Sequence, residues 1–137
     1  MCTINALCLD SLPGLLDQVL ALRKIYGRSR VSFSLNILRF PSFQSPLVLP
    51  DHLRQQYKES LEAWLSNKDI PLLHEYEMNH VQRLIDYLDV VKTPHKDAAE
   101  VTVLQQDFKQ FFTQYDQRRN KNFVNAFPNL AEWYNSL

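Results

Sequence analysis

The chain has 137 residues, of which 45% are hydrophobic and 22% charged, and this composition suits one globular domain. Lysine plus arginine equal aspartate plus glutamate at 15 each, so net charge gives no reason to expect nucleic acid or an anionic membrane as a partner. No apolar run approaches the roughly 20 residues needed to cross a bilayer, and the N-terminus lacks the pattern of a signal peptide. With only two cysteines, Cys2 and Cys8, no disulfide framework is expected, and we predict a cytoplasmic protein.

The first third of the chain predicts a helix followed by a strand. Ser11 is a suitable N-cap, Pro13 fits the first turn, and apolar residues then recur at helical spacing up to Gly27, a typical left-handed terminator. This pattern predicts a helix over about residues 12–26. In residues 31–37, apolar and polar residues alternate, which is typical of a strand with two unlike faces.

The segment before this helix resembles the strand that follows it. Residues 3–7 (Thr-Ile-Asn-Ala-Leu) echo residues 34–38 (Ser-Leu-Asn-Ile-Leu) position for position. One βαβ unit takes about 30 residues, so the echo favours two parallel strands joined by a right-handed crossover. Chance is the alternative, because short echoes are common.

The remainder of the chain reads as helical. Asp51 can cap a helix that ends at residues 66–69, a second helix follows from Leu73 to Val91 before Thr93-Pro94, and a third runs from about Asp97 to Arg119. A short helix is expected near residues 130–134. The predicted fold class is therefore α/β: a partial parallel, barrel-type βαβ unit in residues 1–66, then a helical extension in 67–137. Since two parallel strands are a poor independent sheet, further strands are expected to be missing before Met1.

Two stretches resemble a known family. They are residues 31–41 (Val-Ser-Phe-Ser-Leu-Asn-Ile-Leu-Arg-Phe-Pro) with 45–54 (Ser-Pro-Leu-Val-Leu-Pro-Asp-His-Leu-Arg), and residues 115–123 (Tyr-Asp-Gln-Arg-Arg-Asn-Lys-Asn-Phe) with 127–130 (Phe-Pro-Asn-Leu). They resemble the late barrel strand and the closing segment of radical S-adenosylmethionine proteins with a SPASM or twitch domain. The resemblance implies radical chemistry supported by S-adenosylmethionine and a [4Fe–4S] cluster in the complete protein.

Two features depart from that family. Asn120 replaces the usual glycine after the paired arginines, but asparagine also tolerates a left-handed helix end. The cluster-binding motif C-x3-C-x2-C does not occur, and two cysteines cannot supply the thiolates that a cluster needs. The resemblance therefore implies a C-terminal fragment that lacks the cluster-binding half and is not catalytically competent alone, so no catalytic or metal-binding residue is assigned.

The candidate cofactor-binding residues lie on or just after the two strands. In a parallel barrel the polar strand positions would face the cavity, and sites form at the C-terminal ends of strands. By resemblance, we expect Asn5, Ser34, Asn36 and Arg39 to contact S-adenosylmethionine or substrate. The alternative is a solvated face of an edge strand.

Other chemical motifs have simpler explanations. His74 and His80 are six residues apart on a helix and cannot share a metal on one face. The basic cluster of Arg118, Arg119 and Lys121 is most simply the complement of a helix dipole, with Asp116 close enough to pair. The aromatic stripe over 108–115 is typical of helix-packing core; its members are Phe108, Phe111, Phe112 and Tyr115.

Two functions from different classes remain. The first is the C-terminal fragment of a radical enzyme, whose partner is the missing N-terminal barrel half, on the same gene or a separate chain. The second is a stand-alone helical domain that binds a partner protein without catalysis. Neither nucleic acid nor membrane is expected as a partner. A truncated barrel should leave the first strand unpaired, so we expect self-association of the isolated chain.

Overall fold

Helices dominate the computed structural model, which describes residues 1–67, 70–89 and 98–137. Helices of all kinds hold 69% of this structure and strands only 5%. The strands are β1 (Cys2–Ile4) and β2 (Leu35–Ile37). The helices are α1 (Leu12–Tyr26), α2 (Asp51–Leu65), α3 (Glu75–Leu88), α4 (Ala98–Arg119), α5 (Phe123–Ala126) and α6 (Ala131–Ser136). Short 3-10 turns lie at Ser42–Gln44, Pro46–Val48, Ile70–Leu72 and Pro128–Leu130.

The helix ends follow the local signals in the sequence. Helix α1 begins next to Pro13 and ends at Gly27, whose φ of 92° suits glycine and whose N–H donates to the Arg23 carbonyl at 2.9 Å. Asn120 takes a φ of 50° directly after α4, which confirms the predicted left-handed position. The predicted helix end at Val91 and Thr93-Pro94 and the start at Asp97 lie outside the described residues, as do Lys68 and Asp69.

The prediction of an α/β, barrel-type βαβ unit is wrong. The two strands pair in parallel, with Cys2 opposite Leu35 and Ile4 opposite Ile37, but each has three residues and the described chain is mostly helical. The echo had aligned Thr3 with Ser34, whereas the register pairs Thr3 with Asn36. The strand expected over 31–37 is formed only from residue 35 onward.

The physical reason is that side chains of α3, instead of another strand, occupy the far edge of β2 and the segment before it. Glu77 accepts from the Phe33 N–H at 2.9 Å, and His80 Nδ1 accepts from the Leu35 N–H at 2.9 Å. Arg83 Nη2 donates to the Leu35 carbonyl at 2.7 Å. Because these backbone groups are already hydrogen-bonded, no third strand can pair on that side.

One hydrophobic cluster connects the elements. Helix α2 packs on α1 and α3, α3 packs on β2, and α4 lies against the 3-10 turns at 42–44 and 46–48 and against α5. The cluster includes Leu20 and Leu61 from before residue 66 and Leu84, Phe108 and Trp133 from after it. The domain division at residue 66 stays a prediction. Within the described residues, no helix is long and apolar enough to cross a membrane.

Candidate functional site

Two of the predicted site residues lie on β2 or beside it. Asn36 is exposed, and its Nδ2 donates to the Met1 sulfur at 2.8 Å. Ser34 is half-buried, and its backbone carbonyl accepts from the Cys2 N–H at 2.8 Å. The structure therefore places Asn36 in β2 and Ser34 directly before it, and their contact with S-adenosylmethionine or substrate stays a prediction.

The other two predicted residues, Asn5 and Arg39, lie at the end where the strands finish. The Leu38 N–H donates to the Ile4 carbonyl at 2.8 Å, which brings their chain neighbours together. Asn5 Oδ1, however, accepts from the Leu7 N–H at 2.9 Å and so closes a local turn. Arg39 is exposed, with its guanidinium 5.9 Å from the ring centroid of Tyr87. The contacts of Asn5 and Arg39 therefore do not direct the two side chains toward a common ligand.

A buried ion pair between Arg23 of α1 and Glu77 of α3 is the most strongly organised polar group in the described chain. Both side chains are fully inaccessible to solvent. Arg23 also donates to the carbonyls of Val31 at 2.7 Å and Leu72 at 2.9 Å. Glu77 also accepts from the N–H groups of Phe33 and His74, each at 2.9 Å. The pair thereby ties α1, the segment before β2 and the start of α3 together.

The electrostatics of this pair suit structure rather than catalysis. Burial raises the pKa of Glu77, but hydrogen bonds from Arg23, Phe33 and His74 outweigh it and leave the pKa below its ordinary value. The carboxylate is therefore ionised at neutral pH, with both oxygens occupied and no access to solvent. A group in that state cannot exchange a proton with a substrate, which a general acid or base must do.

Helix α4 carries aromatic side chains that are partly buried and partly exposed. Phe108 and Phe112 are buried against Phe123, as the sequence predicted for the whole stripe. Phe111 and Tyr115 are instead 40% and 45% exposed. The four residues span about 100° of the helix circumference, so one edge of the stripe packs inward while the other emerges from the core. The prediction of packing core is therefore correct for Phe108 and Phe112, whereas Phe111 packs on Phe43 and Phe112 and is also partly exposed.

Two clefts flank Tyr115. The first has a volume of about 280 Å³ and lies between α4 and α5; its apolar lining includes Phe112, Phe123, Ala126 and Phe127, with Asp116, Lys121 and Asn122 beside them. The second has a volume of about 190 Å³ and is lined by Phe111, Gln114, Tyr115, Arg118 and Arg119. We call the residues Phe111, Tyr115, Arg118, Arg119 and Phe127 together the α4 surface.

The cations beside the clefts form no ion pair with Asp116, a carboxylate in the lining of the first cleft. Asp116 had been expected to pair with one of them, but its Oδ2 accepts from the Phe123 N–H at 2.9 Å. Within the described residues, Arg118, Arg119 and Lys121 make no ion pair. The sequence held the signal for this surface, because Phe111, Tyr115 and Arg118 follow each other at i, i+4 and i+7.

Comparison of the chain with protein-family models, curated proteins and solved structures finds no match. The resemblance to radical S-adenosylmethionine proteins therefore stays a prediction, without the barrel that was expected with it. In the described part of the chain, no three His, Cys, Asp or Glu side chains are grouped so that they could hold a metal ion.

Proposed function

We propose that this chain is a helical interaction domain that binds a segment of a partner protein on the α4 surface. The observation that carries the proposal is the exposure of Phe111 and Tyr115 beside two clefts, while Phe108 and Phe112 on the same helix are buried. Aromatic residues and arginine are the side chains most enriched at the centres of protein interfaces.

A catalytic function has less support from the described residues. The strongest polar cluster, Arg23 with Glu77, is sealed from solvent and fully hydrogen-bonded. The α4 clefts contain aromatic rings, cations and one hydrogen-bonded carboxylate, Asp116, which suits recognition. The proposal places this binding in the cytoplasm, an assignment supported by the free thiols of Cys2 and Cys8.

A library of random ten-residue peptides, displayed and selected on the purified chain, tests this function. The affinity of the selected peptides is then measured against the wild type, the Phe111→Ser/Tyr115→Ser variant and a Leu15→Ser/Leu22→Ser control. The control is matched because Leu15 and Leu22 of α1 are 44% and 43% exposed. We expect the α4 variant to raise the Kd at least tenfold, which corresponds to about 1.4 kcal/mol, and the control to leave it unchanged.

Folding is checked separately, because Phe111 contacts Phe43 and Phe112 at centroid distances of 5.3 and 5.1 Å. Tyr115→Ser alone provides a second variant, because Tyr115 makes no ring contact with another described residue. The proposal is rejected if no peptide is selected, or if the selected peptides bind the α4 variants and the α1 control equally well.

A further inference from the structure

The two clefts beside Tyr115 differ in chemistry, and this difference indicates what kind of segment they recognise. The cleft against α5 has Phe123 and Phe127 in its lining and is mainly apolar. The cleft on the other side of Tyr115 has the guanidinium-bearing residues Arg118 and Arg119 in its lining. A ligand that crosses Tyr115 therefore meets an apolar site and a cationic site in succession.

The size of the apolar cleft limits what enters it. Small-molecule sites in proteins usually measure about 300–1,000 Å³, and this cleft, at about 280 Å³, lies just below that range. It opens to solvent between α4 and α5 and has room for one large apolar side chain. Anchoring a single aromatic or aliphatic residue is the usual way in which a short peptide occupies such a cleft.

The local charge is positive although the chain as a whole is neutral. Arg118, Arg119 and Lys121 are exposed and make no ion pair within the described residues. Asp116, which accepts from the Phe123 N–H, keeps its negative charge, so these side chains hold three positive charges against one negative charge. The negative end of the α4 dipole is equivalent to roughly half a charge, so it offsets only part of this surplus. Unpaired guanidinium groups beside an apolar cleft complement a carboxylate, which they can bind through two hydrogen bonds.

Resting on the proposed function, we infer that the partner segment is an acidic peptide with one large apolar residue. The apolar side chain enters the cleft between α4 and α5, and an aspartate or glutamate within the next few residues lies against Arg118 and Arg119. Charge complementarity of this kind increases the rate of encounter and selects the partner, and its strength falls as salt rises.

Three ten-residue peptide libraries test this inference. All have phenylalanine or leucine at the centre, and the flanking positions are rich in Asp and Glu, in Lys and Arg, or in Ser, Asn and Gln. Selected peptides are labelled with fluorescein, and their binding is measured by anisotropy in 50 and 300 mM NaCl. The variants are Arg118→Gln, Arg119→Gln and the double change, with Arg30→Gln as the matched control because Arg30 is an exposed arginine on another part of the chain.

We expect at least tenfold greater enrichment from the acidic library than from the other two. The double variant should bind the selected peptides at least tenfold more weakly, and Arg30→Gln should leave their affinity unchanged. Binding to the wild type should be weaker at the higher salt. Enrichment of neutral or basic peptides that require Phe111 and Tyr115 but not the arginines would overturn this inference while leaving the proposed function intact. Peptides that bind independently of all these residues, or no enrichment from any library, would overturn both.

Discussion

Breaking the buried pair between Arg23 and Glu77 should destabilise the fold more than any surface substitution. Three changes probe it: Arg23→Met, Glu77→Gln, and the two combined. Each single change leaves one buried charge without its ionic partner, because both side chains are inaccessible to solvent. Glu59→Gln is the matched control, because Glu59 is an exposed glutamate in the middle of α2.

The expected magnitude follows from what each change leaves behind. Removing one partner of a buried ion pair typically costs about 3–5 kcal/mol. Arg23→Met leaves Glu77 with two backbone N–H donors, and Glu77→Gln leaves Arg23 with two backbone carbonyls. Each single change should therefore lower the free energy of unfolding by about 3 kcal/mol. The double variant buries no unpaired charge, so its loss should be smaller than the sum of the single losses by about 2 kcal/mol.

Urea unfolding followed by circular dichroism at 222 nm measures these free energies, and the m-value checks that the variants still unfold cooperatively. A loss of about 3 kcal/mol corresponds to a fall in Tm on the order of 10 °C for a domain of this size. Glu59→Gln should remain within about 0.5 kcal/mol of the wild type. Single losses below about 1 kcal/mol, or losses that simply add in the double variant, would refute the structural role assigned to this pair.

The remaining predictions concern pH, the aromatic core and one glycine. Hydrogen bonding lowers the pKa of Glu77 in the folded state below the unfolded value of about 4.3, so the contribution of the Glu77 carboxylate to stability is full above that value and is lost as pH falls through the folded pKa. Thermal melts should therefore show a steeper loss of Tm below about pH 4 in the wild type than in Glu77→Gln. Parallel curves of Tm against pH would exclude Glu77 as the cause. Phe108→Ala should cost about 3–5 kcal/mol in urea unfolding, because Phe108 is fully buried among four aromatic rings, and a cost under 1 kcal/mol would contradict that packing. Gly27→Ala should lower the free energy of unfolding by about 1 kcal/mol, because Gly27 has a φ of 92°. Gly14 has open space at the position of an added Cβ and no such φ, so Gly14→Ala should lower the free energy of unfolding less than Gly27→Ala does, or raise it.

The longer helices could be predicted from the sequence because their signals are local, whereas the four-residue helix α5 was not predicted. Pro13 and Gly27 mark the two ends of α1, as in the structure. The start of α2 is displaced by one residue, because the N-cap is Pro50 and Asp51, the predicted cap, is the first helical residue. These signals depend on capping, backbone φ and apolar spacing within one element, and none requires knowledge of what packs nearby.

The sheet could not be predicted correctly because its extent depends on distant residues. Alternation over 31–37 correctly marks Phe33 and Leu35 as buried, but alternation cannot show whether the backbone pairs with a strand. Here Glu77, His80 and Arg83, more than 40 residues away, supply those hydrogen bonds. The sheet therefore cannot extend beyond β2, and the barrel prediction fails.

The α4 surface was only partly predictable for a similar reason. Helical spacing groups the aromatic residues of 108–115 on one side of α4, but it cannot show how far α5 and α6 cover them. Burial of Phe108 and Phe112 against Phe123 and exposure of Tyr115 become visible only once those short helices are placed. The predicted site at Asn36 rested on the family resemblance instead, and that site remains to be tested.

Photo-cross-linking in cells tests most directly whether the α4 surface binds a partner. The photoreactive residue p-benzoylphenylalanine replaces Tyr115 in one variant and Tyr76 of α3 in the other, since these tyrosines are 45% and 46% exposed. We predict a discrete adduct from position 115, with the cross-link mapping to an acidic segment of one partner, and no such adduct from position 76. The absence of an adduct at position 115, or the same adducts from both positions, would contradict the proposed function.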